Sequence, residues 1–228
     1  MQKDIYILNL ETSTKNCSVS IGKNGKVIAL HELCEANFSH AEKLPQFIKK
    51  SIADAKITFA NLDAIAVGKG PGSYTGLRIG VSSAKGLSFG LDIPLLAIES
   101  LEILANAVSN PKGYIIPLLD ARRQEVYTSV FDANYKQIKP TFSHILEENS
   151  FAEYLQNTVF FLGDGTPKTK EIISHKNAIF LENYHPSAKE MSNISYRKFL
   201  KKQFEDVAYF EPFYLKDFYV TPTKSIKI

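Results

Sequence analysis

One order of elements runs through this sequence twice: three strands, a helix, a strand and a helix. In the first pass, Ile5-Tyr6-Ile7-Leu8-Asn9-Leu10 is a near-continuous apolar run, the pattern of a strand buried on both faces. Glu11 to Asn16 is a polar turn, and Cys17-Ser18-Val19-Ser20-Ile21 alternates as a second strand. Asn24-Gly25 marks a hairpin, because that pair tolerates positive φ, and Val27 to Cys34 is the third strand. Ser39 and Glu42 fit a capping box. Ala41, Leu44, Ile48, Ile52 and Ala55 follow at helical spacing, with Pro45 inside as a source of a kink. Leu62 to Gly68 is a fourth strand, and a glycine-rich loop from Lys69 to Thr75 leads into a helix over 76–90. A short strand at 95–97 and a helix over 100–108 close the half.

The second pass begins with an apolar strand over 114–119 and a polar turn, Asp120-Ala121-Arg122-Arg123. Strands over 125–131 and 136–142, a helix over 146–156 and a strand over 159–162 follow. A short helix over 167–174, a strand over 178–181 and a helix over 186–203 complete it. The tail from Glu205 holds Pro212 and Pro222, and its tyrosines and phenylalanines make it too aromatic to hang free. Three antiparallel strands followed by helix-linked strands give a mixed sheet with helices on its faces. Two such halves predict the duplicated actin-like ATPase fold, with ribonuclease-H-like α/β subdomains over 1–110 and 111–228. The 228 residues leave each lobe little beyond its sheet and helices.

Charge says little about partners. Lys and Arg number 27 against 24 Asp and Glu, a net charge of +3, so composition gives no argument for nucleic acid. Cys17 and Cys34 fit no ligand spacing and read as two small buried side chains in a reducing compartment. The N-terminus has no basic region followed by an apolar stretch, and no apolar run approaches the roughly 20 residues that span a bilayer. The expectation is a cytoplasmic protein with no membrane contact.

Few residues invite chemistry. In actin-like ATPases the first hairpin turn carries an acid and small polar residues beside the phosphates, and Glu11, Thr12 and Ser13 occupy that place. The competing reading is an ordinary turn whose hydroxyls satisfy the backbone. The mirrored turn holds Asp120 followed by Arg122 and Arg123. Those arginines have two readings, an anion site or ion pairs with Asp120 and Glu125. The segment Gly68 to Gly80 runs from a strand into a helix N-terminus, yet it matches neither the Walker loop nor the dinucleotide fingerprint. Gly76, Gly80, Ala84 and Ser88 form a small-residue row four apart, which lets another helix approach closely. Arg78 opposes the helix dipole in the first turn, which suggests an anionic partner. His40 has Leu44, not a second histidine, four residues on, so a helical metal pair is missing.

The segment Gly70-Pro71-Gly72-Ser73-Tyr74-Thr75-Gly76-Leu77-Arg78-Ile79-Gly80 resembles the signature of the TsaB (YeaZ) family. Ile7 to Ser13, His40-Ala41-Glu42 with Leu44-Pro45, Ile93-Pro94 and Asp120 to Tyr127 support the likeness, and Pro212 to Lys216 does so more weakly. Glu11 departs from the family's usual Asp. The resemblance implies a role in making threonylcarbamoyladenosine beside the anticodon of ANN-decoding tRNAs. It implies a noncatalytic scaffold required by TsaD, the larger paralogous transferase that carries the metal-binding histidines. The TsaE ATPase would belong to the same complex, tRNA would be met indirectly, and a homodimer is an alternative pairing. On this reading there is no catalytic residue and no bound metal. Glu11, Thr12 and Ser13 are a vestigial nucleotide site, and ATP or ADP with Mg would lie at the cleft or the partner interface. The helices over 40–56 and 76–90 would pair with those of the partner through Leu44, Ile48, Leu77, Gly80, Val81 and Ala84, with Arg78 at the margin. Gly80→Leu is then expected to abolish the complex and leave the monomer folded. The rival readings are an autonomous actin-fold ATPase, a glycoprotease-like metallohydrolase and a direct tRNA-binding module.

Overall fold

The structure is a computed structural model, and it describes residues 3–35 and 40–216. Two five-stranded sheets carry the same topology. The first contains β1 (Tyr6–Glu11), β2 (Asn16–Lys23), β3 (Lys26–Cys34), β4 (Ala64–Gly70) and β5 (Leu95–Glu99), in the spatial order β3-β2-β1-β4-β5. The second contains β6 (Tyr114–Asp120), β7 (Glu125–Phe131), β8 (Gln137–Ile145), β9 (Val159–Leu162) and β10 (Ala178–Leu181), in the order β8-β7-β6-β9-β10. In both sheets the first three strands pair antiparallel and the last two add in parallel. This is the actin-like α/β fold expected from the repeat of element order.

Local chemistry accounts for the hairpins. Asn24 and Gly25 both take positive φ, 49° and 81°, the twist that joins β2 to β3 without splaying them. Asn24 Oδ1 also accepts the Ile5 amide at 2.9 Å, which ties the turn to the start of β1. Helices α1 (His40–Asp54) and α2 (Tyr74–Leu91) cover one face of the first sheet, where Leu8, Leu10, Val19, Ile21, Leu44, Ile48, Ile65, Val67 and Val81 share one core. Pro45 lies inside α1. The Ser39 end of the expected capping box lies outside the described residues.

The opposite face is closed from a distance in sequence. Helix α5 (Ala188–Leu200) belongs to the second pass, yet it packs on the first sheet. Ala188, Met191 and Ile194 meet Ile7, Ala66, Leu96 and Ile98. The serines of β2 complete this seam: Ser20 Oγ donates to the Ala188 carbonyl at 2.6 Å, and Ser18 Oγ accepts the Ala188 amide at 3.0 Å. Both faces of β2 are therefore buried, one apolar and one hydroxyl-lined.

Several sequence expectations differ from the structure. Residues 147–157 form successive i→i+3 turns rather than a helix, because Phe151 sits at φ 62° and interrupts the α-helical ladder. Helix α3 (Ser100–Ala105) stops earlier than expected, and α4 (Thr166–Ile172) starts with Pro167 in its first turn. Cys34 is exposed rather than buried, at the end of the edge strand β3, while Cys17 is buried as expected.

The segment after α5 is a strap. Glu205 bridges to Leu95 at the β5 edge, and Lys85 of α2 donates to the carbonyls of Ala208 (3.1 Å) and Phe210 (2.8 Å). The Phe213 amide donates to the Lys69 carbonyl at 2.7 Å, and Lys216 pairs with Glu125 in the second lobe. No described helix is long and apolar enough to cross a membrane.

Candidate functional site

The first turn is sealed. Glu11 ends β1 with its carboxylate fully buried. Its Oε1 accepts the Ser13 amide at 2.6 Å, and its Oε2 has no hydrogen-bond partner. Burial pushes the carboxyl above the usual carboxylate range, against bonds from Ser13 and Thr12 that pull it down. The helix α2 and the loop before it press directly on the turn. Thr12 Oγ1 donates to the Gly76 carbonyl at 2.8 Å, and the Ser73 amide donates to the Ser13 carbonyl at 2.7 Å. Ser73 also caps α2 by accepting the Gly76 amide at 3.3 Å.

The glycines explain how that approach is met. A Cβ at Gly76 would lie 2.1 Å from the Thr12 carbonyl oxygen, and one at Gly80 would lie 2.2 Å from Thr12 Oγ1. A Cβ at Gly72 would lie 2.3 Å from the Ser13 carbonyl oxygen. Gly70, at φ 107°, takes a backbone shape closed to other residues. The small-residue row thus admits the β1–β2 turn of this same chain, not a second helix.

An ATP with Mg, as the fold implies, does not fit this turn. A phosphate needs free amides and room for a close backbone approach. Here the Ser13 amide is taken by Glu11, the Ser73 amide by Ser13, and the Gly76 amide by Ser73. The unpartnered Glu11 Oε2 faces Gly68, where a Cβ would stand only 2.0 Å away. Among the described residues, no three His, Cys, Asp or Glu side chains stand together as a metal site. His40 is buried beneath the turn near the backbone of Thr14 and Asn16, and burial pushes its pKa down.

The expected interface residues require a correction. Leu44, Ile48, Leu77, Val81 and Ala84 are all buried within this chain, and Gly80 is filled by Thr12. They face the sheet because a helix lying on a sheet turns its apolar stripe inward. Gly80→Leu would therefore disrupt the monomer itself. Of that set only Arg78 is exposed, and it meets no carboxylate among the described residues. Its guanidinium lies 5.4 Å from the Tyr74 ring centroid and donates to the Tyr74 hydroxyl at 3.4 Å. The outer face of α2 carries Thr75, Arg78, Ser82, Gly86, Phe89 and Gly90. Phe89 is 84% exposed, and a Cβ at Gly86 or Gly90 would meet nothing within 4 Å.

The second turn is open. Asp120 and Glu125 do not pair with the adjacent arginines: Asp120 binds Lys168 at 2.6 Å, and Glu125 binds Lys216. Asp164 accepts the Asp120 amide at 2.8 Å, and burial raises its pKa. Arg122 and Arg123 are exposed at φ 69° and 51°. The pairings of Lys168, Lys216 and Asp164 carried no signal in the sequence, since 44 to 91 residues separate them from their partners. Two surface hollows of about 540 and 510 Å³ lie in the second lobe, one lined by Lys112, Gln156 and Asn177 and one by His144, Ser150 and Glu153.

Known proteins point one way. Residues 34–222 match the family model described as TsaD, tRNA N6-adenosine threonylcarbamoyltransferase. The tRNA threonylcarbamoyladenosine biosynthesis protein TsaB of Bacillus subtilis is 34% identical over 173 residues, covering 73% of this chain and 74% of its own. TsaB of Haemophilus influenzae is 26% identical over 229 residues, covering 94% and 95%. The solved structure of YeaZ from Pseudomonas aeruginosa superposes with a TM-score of 0.81 at 25% identity, covering 92% of this chain and all of that one. This chain belongs to the TsaB (YeaZ) family of tRNA threonylcarbamoyladenosine biosynthesis proteins.

Proposed function

We propose that this chain is a noncatalytic subunit, required by the larger TsaD paralogue to form threonylcarbamoyladenosine beside the anticodon of ANN-decoding tRNAs. The observation that carries this reading is the sealed first turn. An actin-like ATPase needs its acid beside phosphate and metal, whereas Glu11 is enclosed between Ser13 and Gly68. A scaffold needs an outward surface, and the outer faces of α1 and α2 supply one, with the exposed Phe89 in the last turn of α2 and the open Gly86 and Gly90 beside it. TsaD is the partner we assign to that surface, with TsaE in the same complex; a second copy of this chain is the competing occupant.

Reconstitution tests the reading. tRNA threonylcarbamoylation by the other subunits is expected to require this chain and to survive Glu11→Gln. Full activity without the chain would sink the proposal. So would ATP- or metal-dependent turnover by the chain alone that Glu11→Gln abolishes.

A further inference from the structure

We infer that the turn between β6 and β7 presents Arg122 and Arg123 to the phosphate backbone of the RNA substrate. This rests on the proposed place of the chain in a tRNA-modifying complex, but it assigns a direct contact where that reading needs none.

The turn is held without help from the arginines. Lys168 Nζ binds Asp120 Oδ1 at 2.6 Å and the Arg123 carbonyl at 3.0 Å, and it also takes the Glu125 carbonyl. The Ala121 amide donates to the Glu125 carbonyl at 3.0 Å, and the Arg122 amide donates to Asp120 Oδ1 at 2.7 Å. The nearby carboxylates are thus committed: Asp120 to Lys168, Glu125 to Lys216, and Asp164 to the Asp120 amide. Neither guanidinium makes an ion pair or hydrogen bond among the described residues. Two cations therefore stand free on a backbone that Lys168, Asp120 and Asp164 have already fixed.

The chemistry of the exposed pair selects the ligand. A guanidinium matches phosphate oxygens with two parallel N–H donors, and a pre-fixed backbone lowers the ordering cost of binding. The edge continues beyond the turn. Lys216, which meets Glu125 beside the turn, lies two residues from the exposed Tyr214. Exposed arginines with an exposed tyrosine on the adjoining strap are the composition of a surface that follows a nucleic-acid strand. An acidic protein surface is the competing occupant and is one outcome of the test.

The test uses the reconstituted complex and its tRNA, comparing wild type with Arg122→Ala/Arg123→Ala and Arg122→Lys/Arg123→Lys. Each phosphate contact contributes a slope of about 0.7 to 0.9 in log affinity against log salt, so the alanine pair is expected to lower the slope by about 1.4 to 1.8. The wild-type advantage in tRNA affinity then shrinks about tenfold between roughly 50 and 200 mM salt. The lysine pair should keep most of the slope, and KM for tRNA should rise in the alanine pair while kcat holds. Unchanged tRNA affinity and slope in an intact complex would overturn the inference. So would loss of binding to the protein subunits, which would assign the arginines to an acidic protein surface. Failure of the scaffold reading is distinguishable, because it appears as no dependence of activity on this chain at all.

Discussion

Gly68 and Glu11 face each other across β4 and β1 so closely that a Cβ on Gly68 would stand 2.0 Å from Glu11 Oε2. The acid of the first turn is therefore enclosed by backbone on one side and bonded to Ser13 on the other. Gly68→Ala is expected to destabilise the protein by about 1–3 kcal/mol, the usual cost of overpacking. Adding Glu11→Ala should return part of that loss by making room. Urea unfolding of both single variants and the double variant measures the coupling, and simple additivity would contradict the contact.

The inner and outer glycines of α2 should behave oppositely. Gly80→Leu drives a side chain into Thr12 and is expected to unfold the monomer or lower its Tm sharply. Gly86→Leu meets open space and replaces a poor helix former, so the isolated chain should gain up to about 1 kcal/mol. If the outer face docks the paralogue, the same Gly86→Leu chain should fail to co-elute with it. Thermal melts and size-exclusion runs on the two variants separate folding from assembly.

Burial raises the pKa of Glu11, as it does for Glu102, Asp164 and Glu190. A carboxyl raised in the folded state binds its proton more tightly there than in the unfolded chain. Its contribution is therefore fully present below the unfolded value, 4.5 for Glu11, and is lost as pH rises through the folded value. Glu11→Gln should flatten the fall in unfolding free energy above pH 4.5, and relative to wild type it should gain stability as pH rises through the folded value. Denaturant titrations at several pH values give the two slopes, and parallel curves would argue that Glu11 does not titrate in that range.

The two thiols should differ in reactivity. Cys17 is buried, and burial with the nearby Glu11 charge pushes its thiol up to about 11. Partial burial raises the Cys34 thiol as well, so the difference between the two is access: Cys34 is exposed at the end of β3. A thiol reagent at neutral pH is expected to modify one cysteine of the native protein, at Cys34, and the second only after unfolding. Peptide mapping of the labelled protein identifies the site.

Much of the architecture was legible in the sequence because strand and helix periods are local. The run from Ile5 to Leu10, the Asn24-Gly25 turn and the repeated element order lead to two mixed sheets, and the sheets match in topology. The Gly70–Gly80 signature carried the family. Phe151 shows the limit: its segment reads as a helix, and in the structure it is a run of i→i+3 turns with a left-handed residue and a buried ring at 151.

What the sequence determined by itself is the set of elements and their kinship, since both depend on neighbours a few residues apart. Which face of α2 is free, which cations hold Asp120 and Glu125, and what covers Ser18 and Ser20 were decided by tertiary structure. Helical spacing marks an apolar stripe but cannot say whether a sheet or a partner covers it. The sheet takes Leu77, Val81 and Ala84, so the outer face falls to Ser82, Gly86 and Phe89. Adjacent charges invite pairing on paper, but Lys168 and Lys216 reach the acids first, and that leaves Arg122 and Arg123 unpaired at the surface. The glycines of the signature kept their importance and changed their purpose: they make room for Thr12 and Ser13, closing the turn that an ATPase would keep open.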